Sequence, residues 1–310
     1  MNTNQYAMLR LQSACAEKGP LCVGLDTDPS YIPPEVVRMY DSPADAVLAY
    51  NKALIAATSP SAACFKVQIA YYEAMGLAGL KAYAETLKAV RDAGMISIAD
   101  VKRGDIADTA KAYARAHFEG EFEADIVTLN PYMGFETLDP FIEYVGKSGK
   151  GAFALLRTSN PGMKDIEWLE LTSGGRVLDA VGSGLKAIAA RFGDFSREGC
   201  GPIGAVVGCT EEDDARALRD RYPELFFLIP GYGAQGGAAR IAATLLDRAG
   251  GTVNSSRAIL TAWKKDETLE IRAKSGSLSM VDIVESAGRA AFAAKAELLG
   301  AKKLLAGGAL

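Results

Sequence analysis

The sequence predicts an α/β fold, a single (β/α)8 TIM barrel of eight parallel strands, on three observations. Short apolar runs rich in Val, Ile, Leu and Phe recur eight times along the 310 residues. Longer segments rich in Ala, Leu, Lys and Glu lie between them, with apolar residues spaced three and four apart, which is helical patterning. The apolar runs are continuous instead of alternating, as in strands buried on both faces and therefore parallel.

Strands are expected near Leu21–Leu25, Cys64–Ile69, Met95–Val101 and Ile126–Leu129, then near Gly151–Leu156, Ile203–Val207, Leu225–Ile229 and Gly251–Asn254. Helical segments such as Ser42–Thr58, Tyr72–Ala93 and Ala238–Ala249 fall between them. Eight β-then-α units fit a closed barrel better than an open sheet, the doubly wound open sheet being the structural alternative. No low-complexity linker divides the chain, so residues 1–310 read as one domain, a size such barrels commonly reach. The connection between the fifth and sixth strands, about Thr158 to Pro202, is unusually long and reads as an insertion with helices of its own. The tail Leu304–Leu310, with its Gly-Gly, is expected to fray or pack loosely.

Composition excludes several classes. The chain is 49% hydrophobic and 23% charged, with a mean hydropathy of +0.06, the profile of a soluble globular protein. A net charge of −4 and a pI near 5.3 leave no basic stripe for nucleic acid, although a few local cations suffice for a small anion. The five cysteines form no C-x-x-C pair and read as reduced thiols packed as small buried hydrophobes. No signal peptide is recognised at the N-terminus, and no apolar run approaches the ~18 residues that span a bilayer. A cytoplasmic protein with no membrane partner is expected. With His117 the only histidine and no clustered thiols, no metal site is expected; His117 is read as lying on a helix surface or packing internally. No Gly-x-Ser-x-Gly elbow or Walker loop is found.

Chemistry concentrates in Ile98-Ala-Asp-Val-Lys-Arg-Gly-Asp-Ile-Ala-Asp-Thr109. Asp100 and Lys102 stand two apart at a strand end, so alternation sends both side chains to one face. Burying a carboxylate and an ammonium costs several kcal/mol each unless they are well paired, which points to a use for them. Asp105 and Thr109, four apart, can present to one side of the next helix. The plainer alternative is a structural salt bridge with an N-cap from Asp105 or Asp108.

Other polar residues gather at strand ends: Asp26 after the first, Lys66 within the second, Asn130 after the fourth, Ser159 after the fifth and Ser256-Arg257 after the eighth. In a barrel those ends form one rim, where active sites lie. Singly each has a dull reading, Ser159-Asn-Pro-Gly being a good turn in its own right.

Gly231, Gly233 and Gly236 satisfy G-x-G-x-x-G, but the motif is late in the chain, and the next strand ends in Asn254-Ser-Ser-Arg257 with no acid for a ribose hydroxyl. These glycines read better as a phosphate cradle, with Arg257 as a bidentate clamp. A phosphate monoester is the expected handle.

Taken together, Asp100-x-Lys102-x-x-Asp105-Ile106-x-x-Thr109, Gly24-Leu-Asp26, Phe65-Lys66, Thr158-Ser-Asn-Pro-Gly162, Pro230-Gly-Tyr-Gly-Ala-Gln235 and Ser255-Ser-Arg257 resemble the orotidine 5′-phosphate decarboxylase family. The long fifth connection is similar to that of its longer-chain bacterial subgroup. D-x-K-x-x-D alone is moderately specific, whereas six matched segments in order are highly specific.

The resemblance implies a cofactor-free decarboxylase that converts orotidine 5′-phosphate (OMP) to UMP and CO2 in pyrimidine biosynthesis. It implies that Lys102 protonates C6 while Asp100 lies beside the substrate carboxylate and aims Lys102. Asp26 and Lys66 would contact the ribose hydroxyls, and Ser159 the pyrimidine edge and the Gln235 amide. Gln235, Arg257 and the Ser256 N–H would hold the phosphate, under a loop around Tyr232. Asp105 and Thr109 would cross the interface of a homodimer. Departures are few: Cys209 on the sixth strand replaces an expected small residue such as Ala, and Ala258 a more usual Gly. One rival is an Mg2+-dependent sugar-phosphate decarboxylase or aldolase resembling the hexulose phosphate synthases. Those carry an acidic metal ligand on the second strand, where Lys66 stands here. A non-catalytic nucleotide-phosphate-binding barrel is a rival of another class; binding alone would not require so many buried charges.

Overall fold

The computed structural model describes residues 6–195, 199–232 and 238–307. Eight strands, β1 (Leu21–Gly24), β2 (Cys64–Gln68), β3 (Ile96–Arg103), β4 (Ile126–Leu129), β5 (Gly151–Arg157), β6 (Ile203–Val207), β7 (Phe227–Ile229) and β8 (Gly251–Ser255), pair in sequence order. Every pairing is parallel, and β8 returns to β1 with Val253 opposite Leu21 and Asn254 opposite Cys22, so the barrel is closed. The open doubly wound sheet is thereby ruled out.

Strands β1, β4, β6 and β8 are buried along their whole length, which is why their sequence reads as unbroken apolar runs. The helix Ala7–Lys18 lies by the N-terminal end of the barrel, where Met8 packs against Gly151 and Gly204. That end is stoppered by an apolar side chain, and the polar strand ends face the other way.

Three expectations shift in detail. The helical run Tyr72–Ala93 is two helices, Ile69–Glu73 and Gly76–Asp92, broken where Gly76 takes a φ of +68°. Gly79 lets them meet, since a Cβ there would lie 2.0 Å from the Tyr72 carbonyl oxygen. Strand β7 starts at Phe227, two residues late, because the Leu225 carbonyl accepts from the fully buried Arg219 guanidinium at 2.9 Å. That side chain also donates to the carbonyls of Tyr222, Leu245 and Gly250, tying the helix Glu212–Arg221 to the strand entrance. Strand β3 runs on to Arg103, past its expected end at Val101.

The fifth connection carries the helix Val177–Ala190 and a 3-10 turn at Pro161–Asp165. The chain beyond Lys303 is helical through Gly307 as the end of Met280–Gly307, with Leu304 79% exposed, so the part of the tail described packs loosely without fraying. Among the described residues no helix is long and apolar enough to cross a membrane.

His117, on the helix Ala107–Phe118, is buried, and its Nε2 accepts from Arg103 Nε at 3.3 Å. Burial first, and then the Arg103 charge, push its pKa down from 6.5 to about 4. The unfolded chain therefore takes up a proton that the folded chain refuses. The stability this confers is complete above about pH 6.5 and is lost as pH falls toward 4, up to about 3 kcal/mol. We expect the melting temperature to fall between pH 7 and pH 4.5 in the wild type, and less in His117→Asn. Equal falls in both proteins would show that His117 is not the acid-sensitive group.

Candidate active site

Four charged side chains alternate in sign across the C-terminal mouth of the barrel. Lys66, rising from β2, donates from Nζ to Asp26 Oδ1 at 2.9 Å and to Asp100 Oδ2 at 3.0 Å. Lys102 donates from Nζ to the other Asp100 oxygen at 2.6 Å. At the far end Ser256 Oγ donates to Asp26 Oδ2 at 2.7 Å, and Asn254 Nδ2 donates to Ser256 Oγ at 3.1 Å. Asp26 lies two residues beyond β1, and Gly24 makes room for this contact: a Cβ there would sit 1.9 Å from Ser256 Oγ.

Both charges of the central pair persist. Burial alone would push the Asp100 carboxyl up, but the Lys66 and Lys102 ammonium groups hold it well below the usual carboxylate range. Burial likewise works against the Lys66 charge, and Asp26 and Asp100 outweigh it, raising its pKa. Lys66 and Asp100 are 4% and 7% exposed, so both are withdrawn from solvent, whereas the Lys102 side chain is 45% exposed. The row thus ends in an accessible ammonium aimed by a buried carboxylate.

Asp100 and Lys102 converge by a different route from simple strand alternation. Lys102 has a φ of +44°, and the β3–β4 register is irregular between Ala99 and Arg103. Thr128, buried in β4, fills this irregularity, and the sequence reading did not single it out. Its only signal was a hydroxyl inside the apolar run Ile126–Leu129.

Two adjoining cavities flank the row and share Lys66, Asp100, Pro230 and Asn254. One, of about 250 Å³, is walled by Leu155, Val206 and Leu228, with Lys102, Thr128 and Ser159 at its polar side. The other, of about 570 Å³, is bordered by Asp26, Tyr31, Tyr71, Gly231 and Arg257. Arg257 makes no ion pair among the described residues, and neither does Lys265, a second cation on this wall that the sequence reading missed. A further cavity of about 450 Å³, between Arg176 and Arg221, shares no lining residue with the row, and its Arg221 is paired with Asp179.

The remaining predicted residues are placed as follows. Ser159 is exposed in the loop after β5, which the rest of the β5–β6 connection braces: Thr158 donates to Glu167 from N at 3.0 Å and from Oγ1 at 2.6 Å. Asp105 and Thr109 stand outside the row. The Asp105 carboxylate accepts from Ile106 N at 2.8 Å, and Thr109 is exposed on the helix Ala107–Phe118. Neither Asp105 nor Asp108 caps that helix; its cap position is Ile106, and Asp108 pairs with Lys111 at 2.9 Å. Gln235, Gly233 and Gly236 lie outside the described residues. Tyr232 is buried, with its N donating to Asn254 O at 3.3 Å, so it anchors the start of the loop. Cys209 lies two residues beyond β6 and not on it, its thiol pushed up to about 12 mainly by burial.

The chain is similar to known proteins. A family model described as orotidine 5′-phosphate decarboxylase / HUMPS family matches residues 19–271. An orotidine 5′-phosphate decarboxylase of Clostridium perfringens strain 13 is 52% identical over 252 residues, covering 81% of this chain and 87% of the relative. That of Clostridium novyi strain NT is 50% identical over 264 residues, covering 84% and 91%. Among solved structures, a putative orotidine 5′-phosphate decarboxylase from Streptomyces avermitilis superposes with a TM-score of 0.77 at 28% identity, covering 96% of both chains. The OMP decarboxylase of Leishmania donovani superposes with a TM-score of 0.64 at 30% identity, covering 89% of this chain and 98% of that one. The chain belongs to the orotidine 5′-phosphate decarboxylase / HUMPS family.

Proposed function

We propose that this protein decarboxylates OMP to UMP and CO2 at the charged row, with Lys102 as proton donor and no metal or cofactor. One observation carries the reading: Lys66 sits at the centre of the row, bonded to both acids, where a metal-dependent relative needs an acidic ligand. A divalent cation between Asp26 and Asp100 would have to displace that ammonium.

The two cavities suit the two halves of a nucleotide. Arg257, and Gln235 from the loop beyond Tyr232, would take the phosphate with the Ser256 N–H, and Asp26 and Lys66 the ribose hydroxyls. Apolar Leu155, Val206 and Leu228 suit a pyrimidine ring, with Ser159 at its edge. The substrate carboxylate then lies against Asp100. Loss of CO2 leaves an electron pair at C6 in the ring plane, and the Lys102 ammonium delivers a proton to it.

Asp105 and Thr109 would act in the neighbouring site of a homodimer. Their surroundings support this, because Ile106, Tyr132 and Met133, all exposed apolar side chains, project from the adjoining loops after β3 and β4. The chain would work as one barrel domain with an insertion at about 158–202, in the cytoplasm, where pyrimidine nucleotides are used.

Two experiments test the reading. Turnover should be seen with OMP and not with hexulose 6-phosphate, with or without Mg2+; the reverse preference would reject it. An equal mixture of Lys102→Ala and Asp105→Ala subunits, each inactive alone, should recover about one quarter of wild-type activity, because half the dimers then hold one intact site. No recovery after subunit exchange would refute the shared site.

A further inference from the structure

We infer that Thr128 is a positioning residue for the proton donor, its one hydroxyl setting both the backbone at Lys102 and the carboxylate of Asp100; the inference rests on the decarboxylase reading above. In the β3–β4 ladder Ala99 pairs with Val127 and Arg103 with Leu129. Three residues of β3, Asp100, Val101 and Lys102, therefore stand opposite the single Thr128 of β4. Such a bulge deprives the bulged strand of its ladder partners.

The Thr128 side chain supplies them. Its Oγ1 accepts from Val101 N at 3.0 Å and from Lys102 N at 2.9 Å, and donates to Asp100 Oδ1 at 2.9 Å. A hydroxyl has one proton and two acceptor sites, so all of its capacity is used. The direction is also fixed: two amides can only donate to it, so its proton must go to the carboxylate.

Lys102 consequently sits in the left-handed region, at a φ of +44°, a conformation that non-glycine residues hold only when their surroundings enforce it. The Asp100 oxygen that receives the Thr128 proton is the one that receives the Lys102 ammonium at 2.6 Å. Backbone and side chain of the proton donor are thus referenced to one atom of β4. No neighbour could replace it, because Ile126, Val127 and Leu129 carry no polar side-chain group.

The test compares Thr128→Val, which swaps the hydroxyl for a methyl at nearly constant shape, with Thr128→Ser, which keeps the hydroxyl. With OMP, kcat of the Val variant should fall by about 10²-fold, the cost of a misaimed reacting group. KM and the dissociation constant for UMP should stay within about threefold, and the Ser variant should recover to within about tenfold of wild type. A Val variant with unchanged kcat overturns the proposal. So does a Ser variant as impaired as Val, or a kcat loss matched by lost UMP binding. Should Val not fold, Ser against Ala makes the same comparison with the same expected order. A wild type inert toward OMP would instead overturn the reading of function, before any variant is compared.

Discussion

Orotidine, which is OMP without its phosphate, is expected to react with a kcat/KM about 10⁴-fold lower than OMP or worse. Two or three charge-assisted contacts to the phosphate, at about 1.5–3 kcal/mol each, amount to about 6 kcal/mol. Arg257 and Lys265, neither of them in an ion pair among the described residues, are the cations on this wall available to make them. This handle is remote from C6, and its binding energy accelerates the reaction only if part of it appears in the transition state alone. The loss should therefore fall on kcat as well as KM. Arg257→Ala should lower kcat/KM for OMP by about 10²-fold, through one lost charge-assisted clamp, and leave that for orotidine unchanged. Comparable efficiencies for OMP and orotidine would contradict this account of the larger cavity.

Lys102→Ala is expected to lower kcat by about 10⁵-fold or more. Two effects combine. Unit charges about 4 Å apart at an effective dielectric of about 20 interact by about 4 kcal/mol, roughly a factor of 10³ if the ammonium faces the charge developing at C6. Loss of a positioned proton donor removes a further factor of about 10²–10⁴. The rest of the row survives, since Lys66 still bridges Asp26 and Asp100, so UMP should bind within about tenfold of wild type. A variant that retains a hundredth of wild-type kcat would show that the ammonium is not the donor. One ion pair still falls short of the ~20 kcal/mol that the largest rate enhancements demand, which is why preorganisation of the row and the phosphate handle are both required.

The barrel was legible because parallel strands buried on both faces leave unbroken apolar runs, and all eight appear within a few residues of where those runs stand. Errors came at ends, where tertiary contacts decide. Leu225 belongs to the apolar run before β7, yet its carbonyl is taken by Arg219, six residues upstream, and the pattern of apolar residues carries no record of that bond. The row itself was partly legible: Asp100 and Lys102 announce themselves as charges at the end of a buried strand. Thr128 did not, because a β-branched residue in a strand is what strand propensity already favours. Its importance depends on a bulge in the neighbouring strand. The Glu167 brace on the Ser159 loop was hidden for a similar reason, being supplied from within the long β5–β6 connection. Asp105 and Thr109 stand outside the row, the Asp105 carboxylate accepting from Ile106 N and Thr109 lying exposed, and their spacing of four in sequence did not foretell this.

The most direct test of the central claim, decarboxylation at the Lys66-centred row without a metal, is the loss of OMP ultraviolet absorbance catalysed by protein stripped of metals and assayed with EDTA. The account predicts rapid conversion to UMP at the rate of the untreated protein, with no stimulation by Mg2+. Absence of conversion by folded protein, or activity that vanishes on chelation and returns with Mg2+, would contradict it.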